Sequence, residues 1–299
     1  MNDYDNITSI LIRCGVDVPN VPENIKKEAT DIHISVNKPV SVFTYRDKYK
    51  TDLILSEKQI CDLIIKLCGY SLYKHGEEIR KGFIIIDNKY RCGICGTAIN
   101  KEKRLTGYKN VSSLNIRIPR KIEGAADGII RACKDKLLYG ALVVGEPSSG
   151  KTTVLKDLIT SLEKRYRLSV IDERYELYTG SECDVLLGVG KEEGIMQLIK
   201  NMSPQIVVCD ELDGSDIHTV EYAMSSGVAL IASAHGNVLN TALRPALYSL
   251  LSTGAFRTVI QLDSRSTPGK IKRIYDIEEL NEIHRFTYDY NKRNYIRAE

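Results

Sequence analysis

A loop bracketed by glycines carries a lysine and a threonine near the middle of the 299-residue chain. The stretch GEPSSGKT, residues 145–152, follows an apolar run and precedes a helical pattern, and it fits the motif G-x-x-x-x-G-K-[ST]. Its glycines allow successive backbone N–H groups to surround a phosphate at a helix N-terminus. Lys151 would place a charge on the β- and γ-phosphates, and the Thr152 hydroxyl would bind the Mg²⁺ that bridges them. The predicted nucleotide-binding residues are Gly145, Glu146, Pro147, Ser148, Ser149, Gly150, Lys151, Thr152 and Thr153.

Hydrolysis of a bound ATP requires, in addition, carboxylates at neighbouring strand ends. The stretch QIVVCDEL places Asp210 and Glu211 directly after an apolar run, at the carboxyl end of a strand, where open α/β sheets bind ligands. Asp210 would hold Mg²⁺ through water, and Glu211 would orient and deprotonate the attacking water. The alternative interpretation is a strand that ends in solvated acids.

A second acidic strand end competes for the role of base. The stretch LSVIDERYE puts Asp172, Glu173 and Glu176 after another apolar strand. If that strand lies beside the strand of the glycine loop, its end faces the phosphates, and Asp172 or Glu173 is then the rival of Glu211. The alternative is a helix N-terminus enriched in acids.

A histidine ends a further apolar strand in VALIASAHGN. A neutral imidazole at His235, or the amide of Asn237, would be placed to bind the γ-phosphate or the attacking water and to report hydrolysis to the rest of the domain. The alternative is a structural histidine whose hydrogen bonds are satisfied within the core.

The elements that must position these residues alternate along the second part of the chain. The strand candidates GALVV, RLSVID, QIVVCD and VALIASA are separated by helical patterns, as a parallel sheet covered on both faces requires. The prediction is an α/β fold of the P-loop NTPase class, similar to RecA and AAA proteins, with added strands at RTVIQLD and GKIKRIYDI.

The first part of the chain predicts a small α+β domain. DIHISVN and VSVFTY alternate apolar and polar side chains as a hairpin does, and GFIIIDNKYRCGICGTAI predicts a second hairpin. Between them, Ser56 and Gln59 form a capping box before a helix with Ile60, Leu63 and Leu67 on one face. The change of pattern predicts domains at 1–120 and 121–299.

The cysteines predict buried small side chains rather than disulfides. Eight cysteines are scattered along the chain, several within apolar patterns. Cys92 and Cys95 have the spacing of a zinc or dithiol pair, but no second pair follows, and their setting is a strand rather than a helix N-terminus. We interpret them as structural.

The composition excludes some classes of protein. No apolar run approaches the roughly 20 residues that span a bilayer, and the start lacks the pattern of an export signal, so we expect a cytoplasmic protein. A net charge of +3, from 42 basic and 39 acidic residues, gives no global attraction to nucleic acid or anionic lipid.

In their order along the chain, GEPSSGKTT, VIDERYE, VVCDE and SAHGN resemble the secretion-ATPase superfamily of P-loop motors. Together with NIRIPR, RCGICGTAI and NMSPQIVVCDEL, they are similar to the family of stage III sporulation protein AA from endospore-forming bacteria. The resemblance covers about residues 25–280. In such motors VIDERYE, residues 170–176, resembles the segment called the acidic box. One difference is that Arg174 stands there where pilus-type motors usually have proline.

The resemblance implies a function and partners. It implies an ATPase in the mother-cell cytoplasm, a hexameric ring at the base of a secretion-like channel complex, recruited by a small membrane-anchored subunit similar to stage III sporulation protein AB. It also implies that arginines of the N-terminal domain reach the nucleotide phosphates, and Arg117 and Arg120 match that role. His235 falls in the histidine box of such motors.

Two other functions remain open from the residues alone. The basic tail YDYNKRNYIR, with its tyrosines, would suit a P-loop ATPase stimulated by single-stranded nucleic acid. A scaffold that assembles on ATP but barely hydrolyses it is the other alternative.

Overall fold

The structure, a computed structural model, describes residues 2–101, 104–119, 124–177, 182–239 and 245–282. The chain divides into two compact units, Met1–Arg120 and Lys121–Glu299. No helix within the described ranges is long and apolar enough to cross a membrane.

The first unit is built on a six-stranded antiparallel sheet with the strand order β3-β2-β1-β6-β5-β4. Its elements are α1 (Asp3–Arg13), α2 (Glu23–Glu28), β1 (Ala29–Ser35), β2 (Pro39–Thr44), β3 (Lys48–Ile54), α3 (Glu57–Leu67), a 3-10 helix (Leu72–His75), α4 (Gly76–Arg80), β4 (Phe83–Ile86), β5 (Tyr90–Lys101) and β6 (Arg104–Arg117). The two predicted hairpins are confirmed as β1–β2 and β4–β5.

The capping box predicted before α3 is present. The Ser56 hydroxyl accepts from the Gln59 N–H, and the Gln59 side chain accepts from the Ser56 N–H at 2.9 Å. Ile60 and Leu63 on the predicted apolar face are buried against the sheet. The local signal and the tertiary packing therefore agree on where this helix begins.

The pair Cys92 and Cys95 lies on β5, where successive side chains alternate between faces. Cys92 is fully buried and Cys95 is exposed. Burial raises the pKa of the Cys92 thiol to about 12. Two sulfur atoms on opposite faces of a sheet suit neither a shared metal ion nor a dithiol, which agrees with the structural interpretation.

In the folded protein, iodoacetamide at about pH 8, near the ordinary pKa of a thiol, should alkylate Cys95 and leave Cys92 unmodified. The reason is that the thiolate is the reactive form and that Cys92 is both neutral and inaccessible. Peptide mass spectrometry checks the two sites separately, with the denatured protein as the control in which both react. Equal labelling of the two cysteines in the folded protein would contradict this account.

The second unit is built on a seven-stranded sheet with the order β13-β12-β7-β11-β10-β8-β9. Its elements are α5 (Asp127–Cys133), a 3-10 helix (Lys134–Tyr139), β7 (Ala141–Gly145), α6 (Lys151–Leu162), β8 (Leu168–Asp172), β9 (Asp184–Leu187), α7 (Lys191–Met202), β10 (Ile206–Leu212), a 3-10 helix (Gly214–Asp216), α8 (Ile217–Ser225), β11 (Ala229–His235), α9 (Pro245–Ser252), β12 (Thr258–Leu262) and β13 (Ile271–Asp276). Every pairing is parallel except that of β12 with β13.

Helices cover both faces of this sheet. Along β7, Leu142 and Val144 pack in a cluster with residues of α7, α8 and α9, whereas Ala141 and Val143 pack in a second cluster with residues of α5 and α6. A strand that is buried on both faces needs a continuous apolar run. The predicted α/β fold is confirmed, while α5, β9 and α9 are elements that the sequence pattern did not indicate.

Candidate functional site

The loop between β7 and α6 has a backbone that only particular residues allow. Ser148 and Gly150 have φ angles of 63° and 92°. A Cβ added at Gly150 would lie 2.3 Å from the backbone nitrogen of Gly269, and one added at Gly145 would lie 2.3 Å from the Ser149 hydroxyl. Close approaches therefore favour glycine at both positions, and at Gly150 the left-handed backbone favours it as well.

Lys151, the first residue of α6, lies within this loop with only 5% of its surface exposed. Its ammonium group donates to the carbonyl oxygens of Gly145 and Glu146, at 3.2 and 2.9 Å, and to Nδ1 of His235 at 3.1 Å. The cation is thus placed at the N-terminus of a 12-residue helix, where the helix dipole also favours an anion.

The Ser149 hydroxyl is a further sign that this loop receives a ligand. Its oxygen is buried, and no group in the described part of the chain forms a hydrogen bond with it. A buried polar group without a partner costs about 1–3 kcal/mol. A phosphate held in this loop would meet an orphaned hydroxyl, the Lys151 ammonium and the first N–H groups of α6, so the loop residues fit a nucleotide.

Thr152 and Asp210 come together from two different elements. The Thr152 hydroxyl on α6 donates to Oδ2 of Asp210 on β10 at 3.0 Å, and Oδ1 of Asp210 accepts from the Ser233 hydroxyl on β11. In the described ranges no group of three or more His, Cys, Asp or Glu residues could hold a metal ion. Mg²⁺ is usually bound by one or two carboxylates together with substrate phosphates and water, and Asp210 with the Thr152 hydroxyl would supply such a set.

A β-bulge sets the direction of the two acids on β10. The pairing of β10 with β11 runs from Cys209 with Ala232 to Leu212 with Ala234, so two residues of β10 oppose Ser233 alone. Glu211 lies in the bulge with a φ of 49°, a left-handed conformation that costs about 1–2 kcal/mol. Its N–H donates to Oδ1 of Asp210 at 2.9 Å and to the Ser233 hydroxyl at 3.0 Å, which offsets part of this strain.

The Glu211 carboxylate is held between His235 and Arg174. Nε2 of His235 lies 3.2 Å from Oε1 of Glu211, and the Arg174 guanidinium pairs with Oε2. An ammonium group only donates, so Nδ1 of His235 must accept from Lys151, and the proton of the neutral ring is on Nε2, facing Glu211. Lys151, His235 and Glu211 therefore form one directed chain of hydrogen bonds.

The strand order explains why His235 connects the other two residues. β11 lies between β7 and β10, and its last residue, His235, pairs with Gly145 at the end of β7. All three strands are parallel, so their carboxyl ends meet at the same edge of the sheet. The side chain at the end of the middle strand is the one that can reach both neighbours.

The acidic box, residues 170–176, begins in β8 and continues beyond its carboxyl end. The condition under which its acids would face the phosphates, that β8 lies beside β7, is not met, because β11 and β10 separate the two strands. The role of Asp172 or Glu173 as base stays a prediction. The Asp172 carboxylate accepts from the N–H groups of Glu176 and Leu177, at 2.7 and 2.9 Å, and so it organises the turn after β8. The box instead contacts the β10 end, through Arg174 on Glu211 and through Glu173 near Lys191.

Lys191 contributes to this site although no motif pointed to it. Its ammonium donates to the carbonyl oxygen of Glu211 at 3.0 Å and lies 3.4 Å from Asp216 and 3.8 Å from Glu173. A lysine at the first position of a helix is unfavourable for the helix dipole. This unfavourable position is the sequence feature that could have indicated a tertiary role for Lys191. Ser233 is a second residue of the site that the sequence could have indicated, because it places a hydroxyl inside an apolar strand.

The two arginines predicted to reach the phosphates belong to the first unit. Arg117 is the last residue of β6, exposed and in register with Asp31 of β1. Arg120 lies outside the described residues. Their role in contacting the nucleotide stays a prediction.

The sequence matches the model of the family described as sporulation stage III, protein AA, over residues 5–281. It is 30% identical over 274 residues to stage III sporulation protein AA of Bacillus subtilis (strain 168), covering 86% of this chain and 89% of that protein. It is also 27% identical over 281 residues to protein SEEDLING PLASTID DEVELOPMENT 1 of Arabidopsis thaliana, covering 84% of this chain and 37% of that protein.

Solved structures show a similar fold. The ATPase DotB of Legionella pneumophila has a TM-score of 0.53 at 18% identity, covering 87% of this chain and 76% of that one. The pilus retraction motor PilT, solved with bound ADP, has a TM-score of 0.56 at 15% identity, covering 80% of this chain and 75% of that one. At these identities the likeness concerns the fold.

Proposed function

Because the chain belongs to the sporulation stage III protein AA family, we propose that it is a Mg²⁺-dependent ATPase, the cytoplasmic motor of a secretion-like channel complex in endospore formation. The observation that carries the proposal is the chain of hydrogen bonds from Lys151 through His235 to Glu211. It joins the cation of the phosphate loop to the carboxylate that would act on water. A loop that only holds a nucleotide does not need this connection.

Each residue of the site has a role in the proposed reaction. Lys151 binds the β- and γ-phosphates. Thr152 would hold Mg²⁺ directly and Asp210 would hold it through water, and the ion would neutralise charge on the phosphates. Glu211 takes a proton from water as the water oxygen attacks the γ-phosphorus, and the bond to the β–γ bridging oxygen breaks to release ADP.

The hydrogen bonds of His235 give the site a way to respond to nucleotide. Lys151 donates to His235 in the structure, and a phosphate would attract the same ammonium group more strongly than a neutral ring does. Binding of ATP would then change the position of His235 and, through its Nε2–H, that of Glu211. This links occupation of the loop to placement of the base.

We further propose a homo-oligomeric ring, six-membered by analogy with the secretion ATPases, in the mother-cell cytoplasm. Its partner would be a membrane-anchored subunit similar to stage III sporulation protein AB. Arg117 and Arg120 would supply positive charge to the phosphates from the N-terminal unit. An arginine that arrives only when the assembly closes would couple hydrolysis to motion.

Purified protein with ATP should release phosphate in the presence of Mg²⁺ and should lose this activity in EDTA. The reason is that the ion held by Thr152 and Asp210 would neutralise the phosphates, which neither side chain can do alone. Phosphate release and mass in solution, both measured with and without ATP, check the proposal. Assembly on ATP without phosphate release would favour the scaffold. Activity only with single-stranded nucleic acid, lost at raised salt, would favour the alternative based on the tail, which lies outside the described residues.

A further inference from the structure

Lys191 is a half-buried cation whose place is set by tertiary contacts rather than by its helix. It is the first residue of α7, where the helix dipole disfavours positive charge. Its side chain is 15% exposed and is surrounded by acceptors from three elements: the Glu211 carbonyl of β10, Asp216 of the following 3-10 helix and Glu173 after β8. These acceptors compensate the cost of its position.

The Glu211 backbone is held from both sides. Its N–H is bound by Asp210 and Ser233, and its carbonyl oxygen is bound by Lys191. A residue other than glycine in a left-handed conformation persists only where its surroundings over-determine it. Of these contacts, only the one from Lys191 restrains the carbonyl side of the bulge.

We propose that Lys191 is a positioning residue for Glu211: it fixes the left-handed backbone at the end of β10 and thereby keeps the carboxylate within reach of His235. This inference rests on the function proposed above. Without the ammonium group, the Glu211 carbonyl loses the hydrogen bond from Lys191, the bulge relaxes, and the side chain leaves the position from which it acts on water. Lys191 does not touch the nucleotide loop in the structure, so nucleotide affinity is preserved.

The same cation joins the acidic box to the β10 end. Glu173 lies 3.8 Å and Asp216 lies 3.4 Å from the Lys191 ammonium, and Asp216 is buried to 9% exposure. Loss of the lysine would leave a buried carboxylate without this cation, which loosens the segment after Glu211. The expected disturbance is therefore local, confined to the end of β10 and the 3-10 helix.

The test compares Lys191→Met and Lys191→Arg in the full chain, with Lys200→Met, at an exposed position on the same helix, as the control. Lys191→Met should lower kcat roughly 10- to 100-fold, as small displacements of catalytic groups do, with KM and the Kd for a fluorescent ATP analogue unchanged. Lys191→Arg should recover much of the loss. Hydrogen exchange should rise in residues 206–217 of Lys191→Met and not in the control.

The outcomes separate this inference from the function on which it rests. If the wild type releases no phosphate, the proposed function fails, while the exchange measurement still tests whether Lys191 holds the bulge. If the wild type is active and Lys191→Met retains full kcat, or if its exchange rises throughout the chain rather than locally, the positioning role is overturned. A loss of nucleotide affinity in Lys191→Met as large as its loss of kcat would also overturn the positioning role.

Discussion

Replacing Glu211 with glutamine is expected to lower kcat by a factor of about 100 to 10,000, the usual range for loss of a general base, while ATP still binds. The glutamine oxygen can accept from Nε2–H of His235 as the carboxylate does, but an amide cannot take a proton from water. The loop residues that would hold the phosphates are unchanged. Single-turnover phosphate release and the Kd for a fluorescent ATP analogue check the two halves of this prediction.

The control for this substitution is Glu192→Gln, at an exposed position in the first turn of α7, which should leave kcat unchanged. Glu173→Gln tests the rival base directly. A wild-type rate in Glu211→Gln together with an inactive Glu173→Gln would show that the base has been assigned to the wrong strand end.

Replacing Lys151 with alanine is expected to weaken ATP binding about 100-fold or more. A charge-assisted hydrogen bond is worth about 1.5–3 kcal/mol, each 1.4 kcal/mol is about tenfold in affinity, and the ammonium would contact two phosphates. The substitution also removes the donor to His235, so hydrolysis should be lost as well. Isothermal titration with ATP and Mg²⁺ checks affinity, and phosphate release checks turnover.

The two variants are expected to lose different steps: Glu211→Gln binds ATP and does not hydrolyse it, whereas Lys151→Ala neither binds nor hydrolyses ATP. Lys164→Ala, an exposed lysine just after α6, controls for a general effect of lost charge. Thermal unfolding of each variant shows whether the fold survives. Wild-type affinity in a folded Lys151→Ala would refute the assignment of the loop.

Local features of the fold and of the site could be predicted because their signals lie within short stretches of sequence. The glycine loop between β7 and α6 is encoded by consecutive residues, and the capping box before α3 spans four positions. The nearness of Thr152 to Asp210 follows from parallel strands whose ends meet at one edge. The glycine loop and the capping box need no knowledge of which strands are neighbours.

The strand order could not be predicted, and neither could the contacts that depend on it. Nothing in the sequence near β8 shows that two other strands separate it from β7, or that the Asp172 carboxylate accepts from N–H groups of the turn that follows. The bulge at Glu211 depends on pairing with β11. The contacts of Arg174 and Lys191 with Glu211 likewise depend on which strand ends are neighbours.

The alternation of side chains along β11 makes this strand intolerant of changes in length. Ser233 binds the bulge and His235 binds Glu211, and both lie two positions apart on one face of the strand, while Ala232 and Ala234 pack on the other. Deleting or inserting one residue within the strand would turn both polar side chains into the opposite helical layer at once. Homologous chains should therefore vary in the length of the loops around β11 and keep the strand itself free of gaps.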